Sequence, residues 1–339
     1  MPCVYVHLIP ARPSRVRTHL KSHPAAAAIT VDTVIDEWLK YEEGQIKISS
    51  VSTYRAYAKK HIRPALGGIA ADELTNAEVS DFLAAVSSEN SGFAKKTVHL
   101  IANILKQVLL FGQKYGVRAD PKICSIRFKS SSQKTVNALT AEEQRKILQT
   151  LGDCRHPSDL AIFLSLKTGL RVGEAAGLQW GDIDFEAGFL NVRRTVERIY
   201  RPDGTTEVYI GEPKSESSRR RVPLSPGLLK VLEAHRQADT IYIGSGSTKP
   251  QEVSTLQKHF KVVLKHAGVR DINFHALRHT FATRCVEKGF DAKSLSMILG
   301  HADVSTTLNT YVHPSMENLR NMMQRLEENA CPVEEDCST

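Results

Sequence analysis

No stretch of this chain approaches the ~20 consecutive apolar residues that a membrane-spanning helix needs. The alanine run Ala25–Ala28 is too short for the apolar core of a signal peptide. Cysteine is sparse and unpaired in pattern. Cys3, Cys124, Cys154, Cys285, Cys331 and Cys337 are scattered, with no CxxC pair and no zinc-ribbon spacing, so a disulfide scaffold is excluded and a reducing cytosol is the simpler setting. There is no internal repeat at a solenoid period. His275 and His279 stand i, i+4, yet the intervening residues lack the glutamate of a zinc-protease helix. Nothing in the sequence calls for a metal or a cofactor.

What is present is ordinary globular material. At 339 residues the chain is longer than one compact core usually takes, and 41% hydrophobic with 24% charged residues leaves no room for wholesale disorder. The formal net charge of +8 suits a polyanionic partner.

Hydrophobic periodicity divides the chain. Residues 1–29 show no sustained period and read as a flexible or remnant arm. Val31, Val34, Ile35, Trp38 and Leu39 give one apolar helical face opening at a threonine cap, and a second helix from Ser50 to Arg63 is expected to stop at Pro64 and Gly67-Gly68. Thr75 with Glu78 forms a capping box ahead of a third helix, and Val98, Ile101, Leu105, Val108 and Leu109 mark a fourth. These make a four-helix domain over 30–118. Residues 119–137, rich in serine and lysine around Pro121, read as a linker. A second domain over 138–327 opens at the Thr140/Glu143 capping box. It is mainly helical, with strand-like runs at 189–192, 208–210 and 221–224 that imply a small antiparallel sheet. Residues 328–339 read as a flexible tail. The expected fold class is therefore mainly α: an N-terminal helical domain plus a mixed α+β domain.

Basic residues gather ahead of a single tyrosine, Tyr311. A phenol that attacks a phosphodiester builds negative charge on the non-bridging oxygens, and guanidinium groups can absorb it without a metal, because they stay charged and offer a planar fork to two oxygens. Arg171 and Arg278 suit that role. His275 stands i, i+3 from Arg278, which sets an imidazole beside the arginine if the run is helical. Arg171 and Glu174 are likewise i, i+3, a spacing that a plain ion pair would also satisfy.

The blocks Thr168-Gly169-Leu170-Arg171-Val172-Gly173-Glu174, His275-Ala276-Leu277-Arg278-His279-Thr280, Leu299-Gly300-His301 and Thr310-Tyr311 occur in this order and resemble the tyrosine recombinase, or phage-type integrase, family over about residues 30 to 325. The resemblance implies a C-shaped clamp on DNA, formed by a core-binding domain and a catalytic domain. It makes Tyr311 the nucleophile that forms a 3′-phosphotyrosyl link. Arg171 and Arg278 then hold the phosphate, His275 assists proton transfer at the nucleophile, and His301 hydrogen-bonds the phosphate. Lys214, in a turn between strands, protonates the departing 5′ oxygen. Glu174 and His279 are supporting residues behind these.

Ser52, Tyr54, Arg55, Lys59 and Lys60 on the second helix, Lys95 and Lys96 at the start of the fourth, and Arg219 and Arg220 in a basic turn are candidates for DNA contact, mostly to phosphate. Met316, Leu319, Met322, Met323 and Leu326 space out like an amphipathic tail helix, which the resemblance sets against a neighbouring protomer. The implied partners are double-stranded attachment sites, a synaptic homotetramer that is monomeric or weakly oligomeric without DNA, and accessory DNA-bending proteins. The implied setting is the bacterial cytoplasm, at the nucleoid, with integration or excision of a phage or mobile element as the outcome. A topoisomerase-like nicking-closing enzyme and a non-catalytic DNA-binding module are the alternatives.

Overall fold

The structure, a computed structural model, describes residues 29–126, 137–213, 215–236, 240–311, 320, 323 and 324, the side chain of Glu89 apart. The N-terminal arm up to residue 28, most of the linker, Lys214, the amphipathic tail apart from Met323, and the C-terminal tail lie outside the described residues. The described part forms two units. One takes the chain up to Gln45 and from Ala56 through the end of the first described stretch; the other takes Ile46–Arg55 and everything after the linker.

In the first unit, α1 (Val31–Glu42) starts at Thr30, whose hydroxyl accepts the Thr33 N–H, and it buries Val34, Ile35, Trp38 and Leu39 as the periodicity predicts. α2 (Ile48–Tyr57), whose residues up to Arg55 belong to the second unit, runs on through a π turn at Ala58–Ile62 into α3 (Arg63–Leu66). The expected stop at Pro64 does not occur. Arg63 N–H reaches back five residues to Ala58 O, and this widened turn carries the helix past the proline before it ends at Gly67. α4 (Asn76–Ser87) opens on the Thr75/Glu78 capping box, and α5 (Lys95–Gly112) buries Ile101, Leu105 and Val108. Burying each such side chain contributes about 1.5–3 kcal/mol. The expected linker begins later than its composition suggests. Pro121–Cys124 forms a 3-10 turn packed on α4 and α5, with Ala119, Pro121 and Cys124 buried.

The second unit is helical with two small antiparallel sheets. α6 (Ala141–Leu151) opens on the Thr140/Glu143 capping box and is followed by α7 (Pro157–Thr168) and the short α8 (Val172–Ala176). β1 (Ile183–Asp184) and β2 (Phe189–Val192) belong to one sheet, whereas β3 (Thr195–Tyr200) and β4 (Thr206–Gly211) pair with each other from Thr195↔Gly211 to Tyr200↔Thr206. β5 (Arg220–Pro223) completes the first sheet, in the order β1-β2-β5. α9 (Pro226–His235), α10 (Val253–His266), α11 (His275–Glu287), α12 (Ala292–Leu299) and α13 (Val304–Tyr311) follow. The core is a continuous cluster around Ile147, Ile162, Leu164, Leu190, Leu256, Phe260 and Leu277. No helix among the described residues is long and apolar enough to cross a membrane.

Two glycines fix the geometry that matters later. Gly169 ends α7 and Gly300 ends α12, each with φ in the left-handed region, at +69° and +68°. A Cβ at Gly169 would lie 2.6 Å from the Phe281 ring and 2.9 Å from Leu299 Cδ2. The end of α7 can therefore press directly against α11 and the end of α12, and the terminal carbonyls of α7 and α12 turn toward the same side chain on α11.

Candidate active site

That side chain is Arg278. It is 1% exposed, and its guanidinium donates from Nη1 to Gly169 O at 2.9 Å and from Nη2 to Leu299 O at 2.7 Å. Helix-terminal carbonyls lack intrahelical partners, so they are natural seats for a cation. Arg171, just ahead of α8, donates from Nη2 to Gly300 O at 3.1 Å and from Nη1 to Glu174 Oε1 at 2.7 Å, while its backbone N–H is taken by Glu174 Oε2 at 2.9 Å. The i, i+3 pair is present, and it is one edge of something larger.

Arg220, at the start of β5, meets the same carboxylate. Nη1 lies 3.0 Å from Glu174 Oε1 and Nη2 2.9 Å from Oε2, and Nε donates to Ile298 O at 2.6 Å. Its side chain is only 4% exposed. The expectation that Arg220 contacts DNA is thus corrected: its donors are committed inside the protein. Ser52 is corrected likewise, since it is buried and its hydroxyl accepts the Tyr200 N–H. Arg55 Nη1 donates to Tyr200 O at 3.2 Å. Lys59, Lys60, Lys95 and Lys96 are exposed, Tyr54 is half-buried, and Arg219 is exposed and ion-paired with Glu212.

Burial by itself would raise the carboxyl of Glu174, but the hydrogen bonds and charge of Arg220, with Arg171 behind them, outweigh it and hold the group at about 2. The balance sheet of the cluster is then uneven. Arg171 and Arg220 lie close enough to Arg278 to lower its proton affinity, all three lower that of His301, and Glu174 is the carboxylate that counters them at Arg278. Arg278 is pushed down by burial first, then by Arg171 and Arg220, and stays cationic at neutral pH.

Tyr311 sits at the last residue of α13, 9% exposed against Ala282, Leu295 and Leu299. Its phenol is raised by burial, with Arg278 and Arg171 pulling the other way, and is neutral at pH 7. Its oxygen lies 2.7 Å from His279 Nδ1. The His301 ring runs parallel to the tyrosine ring at a centroid separation of 6.5 Å, and His301 Nδ1 is 2.8 Å from Thr307 Oγ1. His275 is exposed and meets the His279 ring edge-on at 4.6 Å. The structure therefore brings Arg171, Arg278, His275, His301 and Tyr311 together, with Glu174 and His279 in direct contact with members of the set. Lys214 lies outside the described residues. A cavity of about 680 Å³ opens beside this cluster, lined by Arg171, His301, Gly300, Arg198 and Ser215 among others.

Sequence reasoning named Arg220 and His279 but not the contacts they make here, Arg220 with Glu174 and His279 with Tyr311. The inward placement of Arg220 could have been found: it shares a strand face with Val222 and Leu224, both core residues, so a period of two already turns it inward. The contact of His279 with Tyr311 joins α11 to α13 across 32 positions and leaves no local sequence signal.

His275 and His301 both stand at about 4, lowered from an ordinary 6.5 first by desolvation and then by positive neighbours. Between those values the unfolded chain binds more protons than the folded one. The stability they contribute is thus present above about 6.5 and is lost as pH falls toward 4. The midpoint of thermal unfolding at constant ionic strength should decline across this window; a flat profile there would contradict the desolvated, cation-flanked placement of these rings.

Residues 137–318 match the phage integrase family and residues 30–86 match the phage integrase N-terminal SAM-like domain. A tyrosine recombinase XerC-like protein of Caldanaerobacter subterraneus subsp. tengcongensis is 30% identical over 264 residues, which is 69% of this chain and 66% of the relative. The transposase from transposon Tn916 of Enterococcus faecalis is 28% identical over 272 residues, 71% of this chain and 64% of that protein. This chain thus spans a little under two thirds of the length of both. The Tn1549 transposon integrase, solved with a circular intermediate DNA, superposes with a TM-score of 0.68 at 22% identity, over 87% of this chain and 99% of that one. The chain belongs to the phage integrase family, the tyrosine recombinases.

Proposed function

We propose that this protein is a site-specific DNA recombinase that cuts and rejoins DNA through a phosphotyrosyl intermediate, integrating or excising a mobile element. The observation that carries the reading is the uneven charge of the cluster: three guanidinium groups, one carboxylate, and a buried phenol within their field. Such a site is incomplete electrostatically without an anion, and a phosphodiester beside Tyr311 supplies one. Arg171 and Arg278 hold its non-bridging oxygens, His301 adds a hydrogen bond, and Tyr311 attacks phosphorus. The 5′ oxygen leaves with a proton from Lys214, and the phosphotyrosyl link conserves the bond energy, so no nucleotide cofactor is needed. A 5′ hydroxyl from a second duplex reverses the step. Two duplexes present four strands, each needing its own tyrosine, which makes a homotetramer on paired sites the working assembly.

Lys59, Lys60, Lys95, Lys96 and Arg219, with Tyr54 and Arg55, are the proposed backbone contacts, and the helical region matching the SAM-like domain is the proposed core-binding domain. Relatives named as recombinase and transposase, and a transposon integrase solved on DNA, support DNA as the partner. Accessory DNA-bending proteins and action at the nucleoid in the cytoplasm belong to the same proposal.

The test is to incubate the protein with a randomised duplex library, trap covalent complexes under denaturing conditions, and sequence both the DNA and the modified peptide. The expected result is a DNA-linked peptide containing Tyr311 and one enriched core sequence. Tight binding with no covalent product would favour a non-catalytic DNA-binding module, and relaxation of plasmids that lack the enriched core would favour a nicking-closing enzyme.

A further inference from the structure

We infer that His279 is a catalytic residue: it takes the phenolic proton of Tyr311 as the tyrosine oxygen bonds to phosphorus, and returns it in the reverse step. The inference rests on the strand-transfer reading above and adds to it the identity of the base. Two histidines flank the tyrosine ring and a third meets one of them, and among the described residues only His279 presents a ring nitrogen to the phenol, with Nδ1 at 2.7 Å from the oxygen. His301 offers its ring face at 6.5 Å and has Nδ1 at Thr307. His275, to which the family resemblance gives the assisting role, reaches the phenol only through the edge of the His279 ring.

The environment favours the form that can accept. Burial, then the charge of Arg278, lower the proton affinity of His279, so the ring is neutral at pH 7 with an open lone pair when the hydrogen sits on Nε2. The charged and titratable groups shown to act on it are His275 and Arg278 from its own helix α11 and Tyr311 from α13. A weak base is suited to this step. The ground-state phenol is too weak an acid to ionise against it, but its acidity rises as the oxygen gives electron density to phosphorus, and the proton moves with bond formation. The tyrosine O–H bond breaks and the O–P bond forms, the electron pair of the cleaved P–O bond leaves with the 5′ oxygen, and that oxygen takes its own proton from Lys214. The phosphorus remains a diester monoanion, and the imidazolium on α11 stays beside it until a 5′ hydroxyl attacks.

The core sequence enriched from the randomised library is rebuilt as a nicked duplex, with either an ordinary 5′ oxygen or a 5′ bridging sulfur at the scissile position. Wild type, His279→Ala and His279→Asn are compared for DNA affinity, thermal unfolding and rate of adduct formation against pH. Asparagine keeps a hydrogen-bond acceptor close to the position of Nδ1 but cannot take a proton. Both variants should bind DNA like wild type and form adduct about 10²–10⁴-fold more slowly, the range for a lost general base. The deficit should persist on the sulfur substrate, whose leaving group needs no proton, and should shrink with added imidazole in His279→Ala or at alkaline pH. Adduct formation by His279→Asn at the wild-type rate would overturn the assignment and leave a merely orienting hydrogen bond. Faster reaction in His279→Ala would overturn it in favour of a restraint on Tyr311. Absence of adduct in wild type itself would remove the underlying strand-transfer reading, whereas adduct in wild type with unaffected variants removes only the role of His279.

Discussion

Tyr311→Phe is expected to abolish the covalent DNA adduct while leaving affinity for the same duplex intact. The substitution removes one oxygen and nothing else. The ring stays packed against Ala282, Leu295 and Leu299, and the arginines that would hold a phosphate are anchored by Gly169, Leu299 and Gly300 carbonyls that the tyrosine does not touch. The lost hydroxyl leaves His279 Nδ1 without its partner, a cost of about 1–3 kcal/mol where no water replaces it. The variant should therefore fold with a slightly lower melting temperature. A different pattern is expected for Arg278→Lys. The ammonium keeps the charge but cannot span two carbonyls and an anion as a planar fork does, so adduct should form about 10²–10³-fold more slowly rather than vanish, by analogy with a removed oxyanion donor. Denaturing-gel assays on one nicked duplex distinguish the two outcomes. Residual adduct in Tyr311→Phe would place the nucleophile elsewhere.

Much of this was legible because the informative signals are local. Capping boxes at Thr75/Glu78 and Thr140/Glu143 mark true helix starts, since both reciprocal hydrogen bonds form within one turn. The apolar faces of α1 and α5 follow the 3.6-residue period for the same reason. β3 was missed because its buried residues, Val196 and Ile199, are three apart, a spacing that suggests a helix face; here the strand is covered on both sides. The passage of the second helix over Pro64 depends on a π turn that no composition rule announces. At the site, residue types and order singled out Arg171, Arg278 and Tyr311, which the fold brings together. What the sequence could not supply was pairing across the fold: which carboxylate neutralises which guanidinium, and which imidazole faces the phenol. Those follow from how the ends of α7 and α12 meet α11, a matter of glycine caps and packing between elements more than 100 residues apart in the case of Gly169 and Arg278.

Glu174→Ala is expected to be the most destabilising single change at the site. The carboxylate is buried, accepts from the Arg171 backbone and guanidinium, and accepts a two-pronged contact from Arg220. Without it, Arg171, Arg220 and Arg278 face one another with no counter-charge among the groups that hold them now, and removing one partner of a buried ion pair costs about 3–5 kcal/mol. Thermal unfolding should show the loss directly. Inorganic phosphate should raise the melting temperature of Glu174→Ala more than that of wild type, because an anion that binds only the folded cluster stabilises it by mass action. Arg220→Met in the Glu174→Ala background should recover part of the stability, since it withdraws one of the uncompensated charges and replaces it with a side chain of similar volume. A double variant as unstable as the sum of the single changes would mean that the carboxylate and Arg220 act independently. In that case their contact would be packing, and the electrostatic incompleteness on which anion capture depends would have to reside in Arg171 and Arg278 alone.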